Sequence, residues 1–379
     1  MARRLAPDRT RSGLKTLAET YLRYHGGIET PAPDENDTID AIIASMTRES
    51  ETTASRYGHA VRASHAKVSG VVIGELQVSD DLPVELKQGL FATGGTYPVI
   101  VRFAQGPGEL LKDSVSTHRG MAIKVLGVEG EKLPGHGATT QDFVLATGPV
   151  FPNPDAKGFL GSMKQLEAGT KAPEVVKVAV SGAARAIDTV VKAVTGESSP
   201  LLDFFGHEPL HPLAEPYYSQ AALRYGNHVA KIAAFPVGAK QQAIAGEHLH
   251  PGEDRNAFRH AVTAYFAGDT AVFEIRVQLC TNLNDMPVED ASKRWDEAAS
   301  PYRTVARLVL PAQDSQSEAR TRYADDVLSF RPAHSLAAHR PLGSLMRARL
   351  KTYQALSSFR HGRNQMPETE PTTIEQIPD

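Results

Sequence analysis

Apolar residues stand at every second position in several short stretches of the chain, which is the spacing of a β-strand with one buried face. The clearest stretch begins at Val68, where VSGVVIGELQV is rich in β-branched residues and is closed by the turn-like SDDLP. The same pattern, mostly with Gly, Pro, Asn or Asp nearby, predicts further strands at 99–103, 121–125, 142–146, 228–235, 272–279 and 305–310. So many separate strands predict a barrel or a sandwich.

Helical spacing occurs between these strands and in an arm before them. The arm runs from about Thr38 to Arg56, with Asp37 or Thr38 available as the N-cap and with one apolar face formed by Ile39, Ile42, Ile43 and Met46. Further helices are predicted at 155–167, 173–194, 256–267 and from about 343 to 359. The predicted fold class is therefore α+β.

Composition is that of a globular chain. The hydrophobic fraction of 41% and the charged fraction of 22% allow a core, and 379 residues are compatible with one large domain with appendages or with two domains. We expect an N-terminal arm and helix over residues 1–58, a main domain over 59–361 and a flexible tail over 362–379, which is rich in Pro, Thr and Glu.

Charge and cysteine content narrow the partners and the compartment. The formal net charge of -3 gives no strong field that would attract nucleic acid, so we expect no nucleic-acid partner. The single cysteine, Cys280, excludes an intrachain disulfide and a cysteine-clustered metal site, and it suits a reducing compartment. No apolar stretch of signal-peptide length follows the basic start, so we expect a cytoplasmic protein.

The most apolar stretch, residues 175–194, is not expected to span a membrane. Four charged residues interrupt it, namely Lys177, Arg185, Asp188 and Lys192. The pattern is that of an amphipathic helix, which could touch a membrane surface or an apolar substrate.

The last predicted helix carries a candidate metal ligand. Arg349 lies four residues before Tyr353, so both share one helical face, and Arg360 shares it if the helix persists. A guanidinium beside a phenol favours the phenolate, which could present an anionic oxygen to a metal. This spacing alone is more typical of a half-buried tyrosine with a wet hydroxyl.

Two other segments carry candidate polar chemistry. RASHAKVSG places Arg62 and His65 just before the first strand, so the imidazole could stand at the edge of a core cavity and relay a proton. Taken alone, it is more typical of a structural histidine. Arg102 and Arg119 stand at strand ends near turns, where by themselves they are expected to be solvated charges on a barrel rim.

Taken together, these segments resemble the catalase superfamily, and particularly its smaller catalase-related branch. RASHAKVSGVVIGELQV is similar to the segment in which an Arg, two residues and the distal His precede the first barrel strand. YPVIVRF followed by HRGMAIKVLGVEGE resembles the Val-Arg-Phe and Arg-Gly-Phe-Ala stretch, DFVLATGPVF resembles the segment with the distal Asn, and RARLKTY matches Arg-x-x-x-Tyr. The resemblance runs from roughly His59 to Arg360.

The resemblance implies a fold and a cofactor. The fold would be a catalase-like antiparallel β-barrel with surrounding helices, and the cofactor would be haem b. It implies that Tyr353 on the C-terminal helix ligates the iron, that Arg349 supports its phenolate, and that His65 is the distal acid and base. The other cofactor-binding positions that it implies are Arg62, Arg102 and Arg360, which pair with the propionates, and Phe159, which lies against the porphyrin.

Three positions depart from the catalase pattern. Ala146 stands where the distal Asn is expected, Ala104 stands where a Ser would bond the distal His, and Ser64 replaces the usual Val. A small polar residue at that last position resembles the allene oxide synthase branch. Losing one orienting donor costs about 10²–10³ in rate, so we expect inefficient use of hydrogen peroxide. A drier and wider pocket would favour organic hydroperoxides.

The leading hypothesis is a haem-dependent oxidoreductase that acts on peroxide or on an organic or lipid hydroperoxide, either as a peroxidase or by rearrangement. The alternatives are a true catalase with low activity, a non-catalytic haem carrier or sensor, and a haem-free scaffold in which Tyr353 is merely packed. The sequence leaves the oligomeric state open, a homo-oligomer included. It contains no Gly-rich phosphate fingerprint that would indicate a bound nicotinamide dinucleotide.

Overall fold

Eight antiparallel strands close into a barrel in the computed structural model, which describes residues 21–170 and 172–379. The basic start of the chain lies outside this part. The described residues form nine strands in all, which are β1 (Val68–Val78), β2 (Gly95–Gln105), β3 (Arg119–Leu126), β4 (Thr140–Thr147), β5 (Tyr217–Tyr218), β6 (Leu223–Tyr225), β7 (His228–Pro236), β8 (Ala271–Leu279) and β9 (Arg303–Leu310). The ring runs β1–β2–β3–β4–β5–β7–β8–β9 and returns to β1, while β6 pairs with β7 beside it.

Every second side chain of a barrel strand points into the barrel and fills its interior. Along β8, Phe273, Ile275 and Val277 are buried while the residues between them are partly exposed, as expected for a strand with one face in the core. They meet Val99 and Val101 of β2 in the largest apolar cluster. Burial of these side chains is the main stabilising contribution to the barrel.

Eight α-helices surround the barrel in the described part of the chain. They are α1 (Glu35–Tyr57), α2 (Ala156–Thr170), α3 (Glu174–Thr195), α4 (Pro200–Gly206), α5 (Ala239–Ala243), α6 (Ala257–Phe266), α7 (Glu318–Asp326) and α8 (Ser344–Asn364). Helices α1, α2 and α8 pack together through Ile42, Met163 and Ala348. Within the described residues, none of the helices combines the length and the apolar character needed to cross a membrane.

The predicted α+β class, with an antiparallel barrel and surrounding helices, is confirmed. The seven predicted strands and five predicted helices all occur, with ends that differ by a few residues. Helix α8 begins near the predicted residue 343 and continues to Asn364, so Arg360 does lie on it. The short elements β5, β6, α4, α5 and α7 were not predicted.

The end of the chain contacts the barrel. Glu370 bonds the buried Lys124 of β3, Glu368 pairs with Arg331, and Ile377 is buried in an apolar cluster. The division at residues 58 and 361 stays a prediction, as does the mobility of the tail.

Candidate functional site

A cavity of about 510 Å³ lies between the barrel and helices α1, α2, α3, α4 and α8. Its volume is in the range of sites that hold small molecules or cofactors. Six of the residues predicted to form the site line it, namely Arg62, His65, Phe159, Arg349, Tyr353 and Arg360. The seventh, Arg102, lines a smaller cavity of about 50 Å³ that shares His65 and Tyr353 with the larger one. The structure therefore brings all seven predicted residues together.

His65 occupies a loop that is held in an unusual backbone conformation. Its φ is +54°, in the left-handed region, which few residues other than glycine adopt. The backbone N–H of His65 donates to the carbonyl of Gly106 at 2.8 Å, and Arg102 Nη1 donates to the carbonyl of His65 at 2.8 Å. Such strain persists only where the surroundings fix it, and these two bonds fix the imidazole just before β1.

The His65 ring lies against a glycine. A Cβ placed on Gly120 of β3 would be 2.6 Å from Nδ1, so only glycine leaves room for the ring. Ala104 faces Gly120 in the ladder between β2 and β3 and carries no hydroxyl. Accordingly, Nδ1 is buried without a hydrogen-bond partner of ordinary geometry among the described residues. Nε2 is then the ring nitrogen left for the cavity.

Burial sets the protonation of His65. Removal from water lowers its pKa well below the usual value of 6.5, and the nearby His118, Arg102 and Arg349 lower it further. The imidazole is therefore neutral near pH 7. A neutral imidazole can accept a proton from a bound ligand.

Tyr353 and Arg349 form a pair on α8. Arg349 Nη2 donates to the hydroxyl of Tyr353 at 3.0 Å, as their four-residue spacing allows. The guanidinium carbon of Arg349 lies 5.2 Å from the centre of the Tyr353 ring. The phenol oxygen of Tyr353, a residue that lines the cavity, therefore has a guanidinium beside it.

Three arginines converge on the end of α7. Arg62 Nη1 bonds the Asp325 carboxylate at 2.7 Å, Arg102 Nε bonds the same oxygen at 3.1 Å, and Arg360 Nη1 donates to the Asp325 carbonyl at 2.7 Å. Among the described residues, the carboxylate of Asp325 is the acidic group that Arg62 and Arg102 bond, and the neighbouring Asp326 also acts on Arg62 and Arg360 through its charge. Three guanidiniums against these two carboxylates leave positive charge in excess.

This excess charge affects the arginines themselves. Burial lowers the pKa of Arg62, and the neighbouring Arg360 and Arg102 lower it further. Burial also lowers the pKa of Arg360 to about 10, although Asp325 opposes the shift. A negatively charged ligand would relieve this repulsion.

The expectation of solvated charges on a barrel rim is wrong for Arg102 and Arg119. Both side chains are buried. Arg102 bonds the carbonyls of His65 and Ala66, and Arg119 pairs with the buried carboxylate of Glu215. Arg102 therefore belongs to the site, whereas Arg119 does not line either cavity.

The sequence did not indicate a second histidine in the cavity wall. The ring of His118 stacks on Phe204 with centroids 4.0 Å apart, and it meets the ring of His65 edge-on at 5.5 Å. Burial lowers the pKa of His118 to about 4. His118 directly precedes Arg119 in a segment that the sequence singled out, but its partner Phe204 is 86 residues away.

The positions that depart from the catalase pattern also lie at the site. Ser64 and Ala146 line the larger cavity, and Ala104 lines the smaller one. Much of the remaining wall is apolar, with Phe151, Met163, Phe204, Phe205 and Leu345 among its residues. Neither alanine can donate a hydrogen bond from its side chain.

Solved structures resemble this architecture. Catalase A from Saccharomyces cerevisiae matches with a TM-score of 0.55 at 17% identity, covering 91% of this chain and 69% of that one. The chain has a catalase-like fold. A fungal catalase (TM-score 0.57, 18% identity, 94% and 72% covered) and a bacterial catalase (0.56, 17%, 98% and 71%) share it. No family model and no curated protein matches the chain, so the catalase likeness concerns the fold alone.

Proposed function

We propose that this protein is a haem-dependent enzyme that acts on peroxides, and on organic or lipid hydroperoxides in particular. The observation that carries the proposal is that His65 and Tyr353 line one cavity inside a catalase-like fold. One side chain supplies a neutral proton acceptor, and the other supplies a phenol oxygen beside a guanidinium.

The residues present fit a haem group. The donor set includes a phenol oxygen, which is a known axial ligand of haem iron. The cluster of Arg62, Arg102 and Arg360 keeps positive charge in excess of its acidic neighbours Asp325 and Asp326, and haem b carries two negatively charged propionates. The apolar part of the wall, including Phe159, suits the porphyrin ring. When bound, haem would supply redox-active iron for cleavage of the peroxide bond.

The chain's own residues would orient and move protons. Arg349 holds the phenol oxygen of Tyr353, and Arg62, Arg102 and Arg360 hold carboxylates. His65 accepts the proton of the hydroperoxide O–H at Nε2 and returns it to the departing oxygen. Because much of the cavity wall is apolar, an organic hydroperoxide is favoured over hydrogen peroxide.

The first test is haem binding to the purified full-length protein and to Tyr353→Phe. We expect a ferric tyrosinate spectrum from the wild type and its loss in the variant. Tyr97→Phe is the matched control, because Tyr97 lies on β2 and lines neither cavity. A wild type that stays colourless when supplied with haem would leave the haem-free scaffold as the better interpretation.

The second test is turnover of hydrogen peroxide, a peracid and a fatty-acid hydroperoxide. We expect the fatty-acid hydroperoxide to be consumed fastest, and His65→Ala to slow its consumption by about 10²–10⁴. Rapid oxygen evolution from hydrogen peroxide would indicate a true catalase instead. Tight haem binding with no turnover of any peroxide would favour a carrier or sensor, a function that Ala104 and Ala146 also permit.

A further inference from the structure

Helix α3 exposes its apolar residues and buries polar ones. Val176, Val180, Ile187, Val190 and Val194 are 46% to 80% exposed, and we call them the valine face. Their spacings of four, seven, three and four residues place them on one side of the helix. A helix on the surface of a globular protein normally turns its apolar side inward. Here the arrangement is reversed.

Polar contacts hold the helix in this orientation. Ser181 Oγ donates to the carbonyl of Ser116 at 2.9 Å, and the carboxylate of Asp188 accepts from the backbone N–H of Ser199 at 2.6 Å. Lys177 pairs with Glu109 at 2.6 Å. Rotating the valine face inward would break these bonds and bury the polar groups without partners, so the exposure is built into the fold.

The apolar exposure is concentrated on this part of the surface. Of the nine large apolar side chains that are exposed among the described residues, seven belong to α3 and α4. The other two are Val84 and Leu110. Scattered single residues of this kind are ordinary, but a contiguous patch marks a surface that contacts a membrane or another molecule.

The valine face is continuous with the cavity. Val176 and Val180 are 46% and 53% exposed, and both also line the cavity, so the cavity reaches the surface at this end of α3. Phe204 and Phe205 of α4 line the wall beside them. An apolar molecule could therefore pass from whatever covers the valine face into the cavity that His65 lines.

We propose that the valine face docks on the surface of a lipid layer and that the cavity takes its hydroperoxide from that layer. The helix would lie along the interface, as amphipathic helices do. A folded protein seated on the same face would cover the place where the cavity reaches the surface, whereas a lipid layer delivers acyl chains there. That the molecule taken from the lipid layer is a hydroperoxide rests on the proposed function, but the docking of the valine face does not.

The charges around α3 indicate which lipids it would bind. Its ends pair with acidic and basic neighbours: Glu174 bonds Arg255 at 2.9 Å, and Lys192 approaches Glu208 at 3.3 Å. Of the three cations on the described part of α3, Lys177 and Lys192 pair with carboxylates, and Arg185 is half-buried beside Ser181, so attachment depends mainly on apolar contact rather than on anionic lipid. We therefore expect binding to neutral vesicles that changes little with salt.

The test is flotation of the full-length protein with phosphatidylcholine vesicles. We expect the wild type to float with the vesicles at both low and high salt. The double variant Ile187→Ser with Val190→Ser removes apolar area from the valine face, so the bound fraction should fall at least about 10-fold. Neither residue lines the cavity. The double variant Val84→Ser with Leu110→Ser makes the same chemical change elsewhere and should bind as the wild type does.

Three outcomes would overturn the docking proposal. They are no flotation of the wild type, equal loss in both double variants, or flotation that requires anionic lipid and disappears in salt. Light scattering without lipid tests whether a second copy of the chain covers the valine face instead. An oligomer that becomes monomeric only in Ile187→Ser with Val190→Ser would mean that it does. Circular dichroism of each variant verifies its folding.

A kinetic comparison separates this proposal from the function it serves. The variant Ile187→Ser with Val190→Ser should consume a water-soluble hydroperoxide at the wild-type rate but lose at least about 10-fold with a fatty-acid hydroperoxide held in vesicles. A variant that matches the wild-type rate on both substrates would contradict the delivery of hydroperoxide from the lipid layer. Vesicle binding by a wild type that consumes no peroxide would overturn the enzyme proposal alone.

Discussion

The hydroxyl of Tyr353 accepts a 3.0 Å hydrogen bond from the guanidinium of Arg349, one turn earlier on α8. The two residues therefore approach the cavity as a unit, with a fixed positive charge beside the phenol oxygen. The proposed ligand role of Tyr353 depends on this charge, because a neutral phenol is a poor ligand for ferric iron.

Removal of the Arg349 charge should weaken haem binding. A hydrogen bond to a charged group contributes about 1.5–3 kcal/mol, so we expect Arg349→Gln to reduce haem affinity about 10- to 100-fold. Arg349→Lys, which keeps the charge without the fork, should lose less. Haem titration followed by absorbance measures this. Lys351→Gln on the same helix is the control, and equal losses at both positions would contradict the role of Arg349.

Restoring a hydroxyl beside His65 should raise activity with hydrogen peroxide. Ala104 is buried, lines the smaller cavity with His65 and faces Gly120, so Ala104→Ser would place an oxygen near the unpartnered Nδ1. One orienting donor can raise a reaction rate by up to about 10²–10³. We therefore expect the rate of oxygen evolution to increase by at least about 10-fold.

The matched control for this variant is Ala234→Ser. Ala234 is also fully buried in a strand, but it lines neither cavity, so its hydroxyl should cost stability without a gain in rate. An Ala104→Ser rate no higher than that of the wild type would show that the orientation of His65 is not limiting.

The sequence predicted the parts of the fold that follow a local period. Strand β1 and helix α8 were recognisable because eleven and twenty-one residues repeat one pattern. The closure of the barrel was not predictable, since it depends on β5, whose two residues are too short to show any period. Only the pairing of β5 with both β4 and β7 reveals the ring.

The site was predictable where the family resemblance supplied motifs, and not where the partners are distant in sequence. His65 and Tyr353 stand in such motifs. Asp325 lies in no motif, and it meets Arg62 only because α7 packs near the start of β1, across 263 positions of the chain. His118 faces His65 for a similar reason: its ring is positioned by Phe204 of α4, a helix that the sequence did not predict.

Filling the space beside His65 should abolish most of the activity. A methyl group at Gly120 would lie 2.6 Å from Nδ1, so Gly120→Ala must displace the imidazole. A misplacement of about 1 Å can cost about 10² in rate, which we expect in hydroperoxide consumption, together with a loss of about 1–3 kcal/mol in the free energy of unfolding. Gly137→Ala is the control, because nothing lies within 4 Å of its added Cβ. Full activity in Gly120→Ala would contradict the placement of His65.

His118, half-buried in the cavity wall, should make the protein less stable in mild acid. Its pKa falls from 6.5 in the unfolded chain to about 4 in the folded one, mainly through burial. Between these values the unfolded chain binds the proton and the folded one does not, so this contribution is fully present above pH 6.5 and is lost as the pH falls toward 4. Between pH 7 and pH 5 it amounts to about 2 kcal/mol.

His118→Phe isolates this contribution, because phenylalanine can keep the stacking on Phe204 without titrating. Other buried histidines also destabilise the folded state in acid, so the measured quantity is the difference between the variant and the wild type in the change of unfolding free energy from pH 7 to pH 5. We expect the variant to lose less stability than the wild type, by up to about 2 kcal/mol. The exposed His250→Phe should change nothing. An identical pH dependence in wild type and His118→Phe would mean that the ring of His118 is hydrated and protonates freely. The lowered pKa of His118 would then be contradicted.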